Sequence, residues 1–296
     1  LLVINYLFQF KTELIQKHKT MNIINFLDDF TTSSILEGKT SRRDIFGTLG
    51  TLGKKAAMAA VPLGLAAMPK KTYAQSMNTD PVGALQLALT LEYLEDEFYD
   101  LALQSGVLPS GRPETVYMQI SKHEQAHVDF LIAGLEGAGV TPVSKPTFDF
   151  TVGGTFDPFN DNGVGQETAY AQLLALAQAF EDTGVRAYKG QAGNLLGSPF
   201  LTAALQIHSV EARHASEIRR LRGLKGWITG NERGAGMPDA TQPVYNGEEN
   251  VMQGGLDVTT LGSGAAFSMD ASTEAYDEAL SGDDAVAIAS LFIVEE

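Results

Sequence analysis

The sequence predicts an all-α protein built on a four-helix bundle, with a long crossover between helices 2 and 3 and a short helical C-terminal extension. Three observations predict it. Four stretches between residues 80 and 225 carry apolar residues at helical spacing, divided by breaks rich in Gly and Pro. The second and fourth each place a Glu-x-x-His on an otherwise apolar stripe. The first pair of stretches is repeated in the second pair.

The first helix opens at Asp80-Pro81, an N-cap followed by Pro at N1, and runs to about Gln104, short of Gly106. The second spans about Pro113 to Leu135 and stops at Gly137 and Gly139. Residues 140–165 are rich in Pro, Gly, Asp and Phe, with one alternating run, Thr147 to Thr151, that reads as a short strand. The segment is long for a loop within a compact domain, and its length suits a crossing along the bundle. Helices 2 and 3 are therefore expected to run parallel. The third helix spans roughly Gln166 to Ala192, a tight turn follows, and the fourth runs from about Pro199 to Leu221. The tail reads as loop until Ser272, then as short helices at 273–280 and 282–292, with Ser281 and Asp284 as a capping box. Ala285, Ile288, Ala289 and Phe292 are expected to dock that end on the bundle.

The chemistry lies in the repeat. Ile207, Glu211, His214 and Ile218 share one helix face, and Ile120, Glu124, His127 and Leu131 reproduce the pattern upstream. A carboxylate on a core-facing stripe is costly unless it is paired or bound to a cation. Upstream of each Glu-x-x-His stands a further Glu with a Tyr seven residues on: Glu92 with Tyr99, and Glu181 with Tyr188. Glu92 precedes Glu124 by 32 residues, and Glu181 precedes Glu211 by 30. One Glu from each of two helices and a Glu-x-x-His from each of the other two is the ligand set for two metals in a bundle core. Four carboxylates balance most of the charge of two divalent ions, with one imidazole nitrogen for each.

Glu92 and Glu95 are equally eligible by periodicity. The repeat aligns Glu95 with Gly184, which makes Glu92 the ligand and leaves Glu95 beside the site or at the surface. Tyr99 and Tyr188 read as core aromatics, and His123 and His208 as packed or solvent-facing imidazoles, with His208 near enough in sequence to support Glu211.

The segments LEYLEDEFY, HEQAHVDFL, AFEDTGVRAY and EARHASEIRRL resemble the bacterial ferritin-like domain family that includes plant desiccation-related proteins. The resemblance covers about residues 80–225. It implies a ferritin-like bundle with Glu92, Glu124, His127, Glu181, Glu211 and His214 as ligands, and it implies no particular activity.

Charge and composition set the remaining limits. Residues 1–74 carry ten Lys/Arg against five Asp/Glu, and residues 75–296 carry eleven against thirty-one. An acidic body argues against nucleic acid and anionic lipid, and attracts cations. The absence of Cys excludes disulfides and thiolate metal sites. Ser41-Arg42-Arg43-Asp44-Ile45-Phe46, the apolar run Ala56 to Met68 and Ala74 as a cleavage point read as a twin-arginine export signal. Met21 reads as the translation start. The expected organisation is a signal-bearing extension over 1–74, the bundle over 75–225 and a loop-rich extension over 226–296. The expected cofactor is a pair of divalent ions, iron first and manganese second, working on O2 or peroxide in the periplasm without stable membrane insertion. The activity reads as a di-metal oxidase, ferroxidase or manganese catalase; the alternative is a non-catalytic protein that sequesters metal or protects against desiccation. A homo-oligomer is left open, and a ferritin cage is disfavoured because the crossover and tail would crowd its contacts.

Overall fold

The computed structural model describes residues 80–262 and 267–294. The expected export segment and Met21 lie outside those residues. Four long helices occupy the sequence positions expected of them: α1 (Pro81–Gln104), α2 (Arg112–Gly137), α3 (Gln166–Gln191) and α4 (Leu201–Leu221). Asp80 caps α1 by accepting the Gly83 N–H at 2.9 Å, with Pro81 in the first turn. A 3-10 turn, Ala192–Leu195, carries the chain from α3 towards α4, which starts two residues later than Pro199.

The helices pair most extensively as α1 with α2 and α3 with α4, and α1 also packs on α3. Cross-helix partners fix the directions. Asp100 meets Ser121 while Glu92 meets His127, so α1 and α2 are antiparallel. Tyr99 meets Glu181 while Tyr188 meets Glu92, so α1 and α3 are antiparallel as well. Helices α2 and α3 consequently run parallel, as the crossover length requires.

The crossover follows α1 from end to end. Near the start of α1, the Gln86 side chain donates to the Thr141 carbonyl at 2.8 Å and accepts the Val143 N–H at 2.7 Å. Midway, Phe150 packs against Phe98 with ring centroids 5.4 Å apart. Beyond the far end of α1, Gln166 donates to the carbonyls of Gly106 and Val107. The alternating run forms no sheet of its own. Phe148 makes one antiparallel bridge to Ile293, with Asp149 N–H donating to the Phe292 carbonyl and Val294 N–H to the Thr147 carbonyl. Its partner is thus the C-terminal end of the described chain.

The tail contains a two-residue hairpin, Met252–Gln253 with Leu256–Asp257, and two helices, α5 (Met269–Thr273) and α6 (Gly282–Ala289). The helix expected at 273–280 is absent, and α5 ends where it was to begin. Ser268 caps α5 early through the Ala271 N–H. The next stretch spends its backbone groups on other elements instead of on a helix: Leu280 N–H donates to the Arg186 carbonyl and Glu278 N–H to the Glu248 carboxylate. Ser281 caps α6 by accepting the Asp284 N–H, and its hydroxyl donates to the Asp284 carboxylate. Although α6 stops at Ala289, Phe292 still docks, against Phe180 at 4.8 Å between centroids.

This wrapping makes α3 the central helix: every residue from Leu173 to Tyr188 is buried. Its outer stripe, Gln178, Asp182 and Arg186 at four-residue spacing, holds the tail. Gln178 donates to the Arg233 carbonyl and to Tyr245, whose hydroxyl donates to Asp182, itself paired with Arg219. Arg186 is 1 % exposed and donates to the carbonyls of Val244, Asn246 and Glu278 while pairing with Glu248 at 2.7 Å. Each charge is matched, as burial demands.

Near the end of α3 the tail crosses directly over Gly190, where an added Cβ would stand 1.8 Å from the Leu280 carbonyl oxygen. Gly→Ala within an exposed helix normally stabilises by about 1 kcal/mol. Gly190→Ala is expected to destabilise instead, by about 1–3 kcal/mol as an overpacked contact, read as a lower urea midpoint. A raised midpoint would mean that the tail does not lie there.

Candidate metal centre

Midway along the bundle the four helices turn six side chains inward. Glu92 comes from α1, Glu124 and His127 from α2, Glu181 from α3, and Glu211 and His214 from α4. All four carboxylates are 0 % exposed and both imidazoles are buried. They form two groups, Glu92–Glu124–His127–Glu211 and Glu124–Glu181–Glu211–His214, each with ligand atoms within 4.8 Å of one another. Glu124 and Glu211 belong to both, which is where bridging carboxylates would stand. His127 Nδ1 lies 3.0 Å from Glu124, 3.2 Å from Glu92 and 3.2 Å from Glu211. His214 Nδ1 lies 2.8 Å from Glu124, 3.2 Å from Glu181 and 3.5 Å from Glu211.

Several of these close approaches are not hydrogen bonds. Glu124 Oε1, Glu181 Oε2, both Glu211 oxygens and His214 Nδ1 are buried without a hydrogen-bond partner. They are near one another but off the direction in which a proton could be shared. Buried polar atoms are almost always satisfied, so five orphans converging at one place fit a set of metal ligands.

Electrostatics point the same way. Burial pushes Glu124 well above the carboxylate range, helped by Glu211, and pushes Glu181 up to about 7 against the pull of His214. Burial opposes charge on His127, but its hydrogen bonds to Glu124 and Glu92 and the Glu211 carboxylate at 3.2 Å outweigh it and push the imidazole up to about 12. His214 is likewise raised, its burial outweighed by the nearby carboxylates of Glu181, Glu124 and Glu211. Glu211 falls to about 2 because the two imidazoles, His127 at 3.2 Å and His214 at 3.5 Å, overcome its burial. Without metal the cluster limits its charge by holding protons on Glu124 and Glu181, whereas two divalent ions would match four ionised carboxylates.

The surroundings hold features that the sequence reading placed otherwise. Tyr99 and Tyr188 are buried, and each hydroxyl donates to a carboxylate of the opposite half: Tyr99 to Glu181 and Tyr188 to Glu92. They tie the two repeats together and hold two of the six candidate ligands, beyond the core packing expected of them. Their shared position seven residues after a candidate ligand was the available signal. His123, read as a packed or solvent-facing imidazole, has its Nδ1 2.8 Å from His214 Nε2 and its Nε2 2.7 Å from the Gln119 amide. It orients His214 from behind. His208 lies 2.8 Å from the Val185 carbonyl and so supports the backbone of α3. Glu95 is 3 % exposed, which overturns the surface option, and it stands outside both four-residue groups.

A bundle of this connectivity, with Glu and Glu-x-x-His groups facing one another across its core, defines a helical protein with a buried site that could hold metal. Comparison with known families agrees. Residues 80–224 match the family model described as a ferritin-like domain, and that stretch has the ferritin-like fold. No curated protein matches the chain.

The shifted groups give the metal-free protein a defined pH dependence. A group whose folded value is raised binds its proton more tightly when native, so its stabilisation is present at low pH and lost as pH rises. For Glu181 the window runs from 4.5 to about 7, and for His127 from 6.5 to about 12. Chelator-treated protein is therefore expected to melt at lower temperature at pH 8 than at pH 5. Added Mn2+ displaces those protons, so its thermal shift should grow over the same interval. Equal shifts at both pH values would contradict this reading.

Proposed function

We propose that this chain is a dinuclear metal protein, with iron first and manganese as the alternative, that reacts with O2 or peroxide. The observation that carries the proposal is the pair of four-residue groups sharing Glu124 and Glu211. When bound, two such ions would supply two-electron exchange with a small oxidant. Glu92 and Glu181 would be terminal ligands, Glu124 and Glu211 would bridge, and His127 and His214 would each bind one ion. The chain's own contribution is to position and to exclude. Tyr99 and Tyr188 fix Glu181 and Glu92, and His123 fixes His214. The complete burial of the four carboxylates supports small reactants such as O2, peroxide or the ions themselves over bulky organic substrates.

The same burial also favours a second reading, a non-catalytic protein that sequesters metal or serves in desiccation stress, in keeping with the family resemblance. Turnover separates the two. Iron-loaded protein is expected to oxidise Fe2+ with O2 or to consume peroxide over many cycles. Glu92→Ala should lose one ion per chain and at least about tenfold of the rate, since it removes a direct ligand where supporting groups typically account for about 10–100-fold. Two bound ions without turnover would leave sequestration as the function.

Export by the twin-arginine route belongs to the same proposal, and it rests on Arg42-Arg43 and the apolar run behind them. Changing both arginines to Lys is expected to hold the protein in the cytoplasm; undiminished periplasmic recovery would count against that route.

A further inference from the structure

One buried carboxyl group beside the centre is left over. Glu95 lies on α1, one turn beyond Glu92, and is 3 % exposed. Among the described residues it has no hydrogen-bond or ion-pair partner, and the four carboxylates of the centre are near enough to disfavour its charge. A buried carboxyl group without a partner is costly, and carboxyl groups close around it add to the cost. Elsewhere in this core each such charge is matched, as Arg186 is by Glu248 and Arg219 by Asp182. Glu95 has no such partner, and a cation within its reach would supply one.

The repeat supplies a second observation. Glu95 corresponds to Gly184, which faces it from α3. A Cβ built on Gly184 would stand 3.3 Å from Glu95 Oε1 and 3.5 Å from both Cγ and Oε2 of Glu211. The glycine thus leaves a gap bordered by Glu95 on one side and a shared carboxylate of the centre on the other. Behind Glu95 lies a narrow cavity of about 10 Å³, walled by Leu94, Phe180, Ile288 and Phe292, with room for about one water molecule. The side chain has space to move and nothing to hold it where it is.

We propose that Glu95 is a fifth carboxylate of the metal centre, which turns through the gap at Gly184 onto one of the two ions when they bind. The inference rests on the dinuclear reading above and deepens it. The two halves supply matched ligands everywhere except at this pair of positions, where one half carries a carboxylate and the other a hydrogen. The centre is therefore one-sided, and one ion receives an oxygen ligand that the other lacks.

Cobalt(II) alone is a suitable probe, because its visible bands report the ligands around it. Titration of chelator-treated protein is expected to give two ions per chain. Glu95→Gln should keep that stoichiometry but weaken one of the two ions by about tenfold or more and displace its bands. The same variant should not lower the melting temperature of the metal-free protein, since the side chain it replaces has no partner there. Gly184→Ala, by filling the gap, should weaken the same ion. A merely structural Glu95 would behave oppositely: its loss would lower the metal-free melting temperature and leave the bands in place. Two ions bound with unchanged affinity and spectrum in both variants would overturn the role of Glu95 and leave the dinuclear centre standing. Failure of the unaltered protein to bind any ion would overturn both.

Discussion

Four carboxylates with no solvent exposure share one cluster in the middle of this bundle, and the rest of the structure is arranged around the cost of keeping them there. Like charges in a low-dielectric interior repel strongly, and each has also given up its hydration. Two imidazoles and two tyrosine hydroxyls answer part of that demand. The orphaned oxygens show that the answer is incomplete within the protein alone. A pair of divalent cations would complete it, which is why the geometry reads as a site that could hold metal and not as a polar flaw in a hydrophobic core.

The position of α3 follows from the same constraint. It supplies Glu181 inward while its outer stripe, Gln178, Asp182 and Arg186, is itself covered by the tail. The helix is thus sealed on both sides, and water is kept from the centre on the face that a bare four-helix bundle would leave open. Phe150 of the crossover and Phe292 of the tail meet over Phe98 and Phe180, so the two long irregular segments close the same face together. The crossing tyrosines add a constraint between halves: neither repeat can shift along its axis without breaking a bond to a buried carboxylate of the other, Glu181 or Glu92.

Much of this was legible in the chain because helices are local. The Asp80-Pro81 start, the glycine stops and the Glu-x-x-His spacings are read along one strand of sequence, and the internal repeat then relates the halves without coordinates. The partners of Tyr99 and Tyr188 were not legible, since periodicity gives the face of a helix but not which residue waits across the interface. The outer stripe of α3 escaped for a related reason. Gln178, Asp182 and Arg186 look like a solvated face until the tail is known to lie on it. The helix expected at 273–280 failed because its backbone groups find partners on α3 and in the residue 244–248 segment, which local propensity cannot foresee. Glu95 is the instructive case: the repeat set it apart from Glu92, but only burial without a partner shows that it is unfinished business for the core.

The central claim is that two ions sit between the repeats, each on its own imidazole and both on Glu124 and Glu211. Anomalous diffraction from metal-loaded crystals, collected at the iron and manganese edges, tests it most directly. The account predicts two peaks per chain, one among Glu92, Glu124, His127 and Glu211 and one among Glu124, Glu181, Glu211 and His214. A single peak, or none with the six side chains in place, would contradict it.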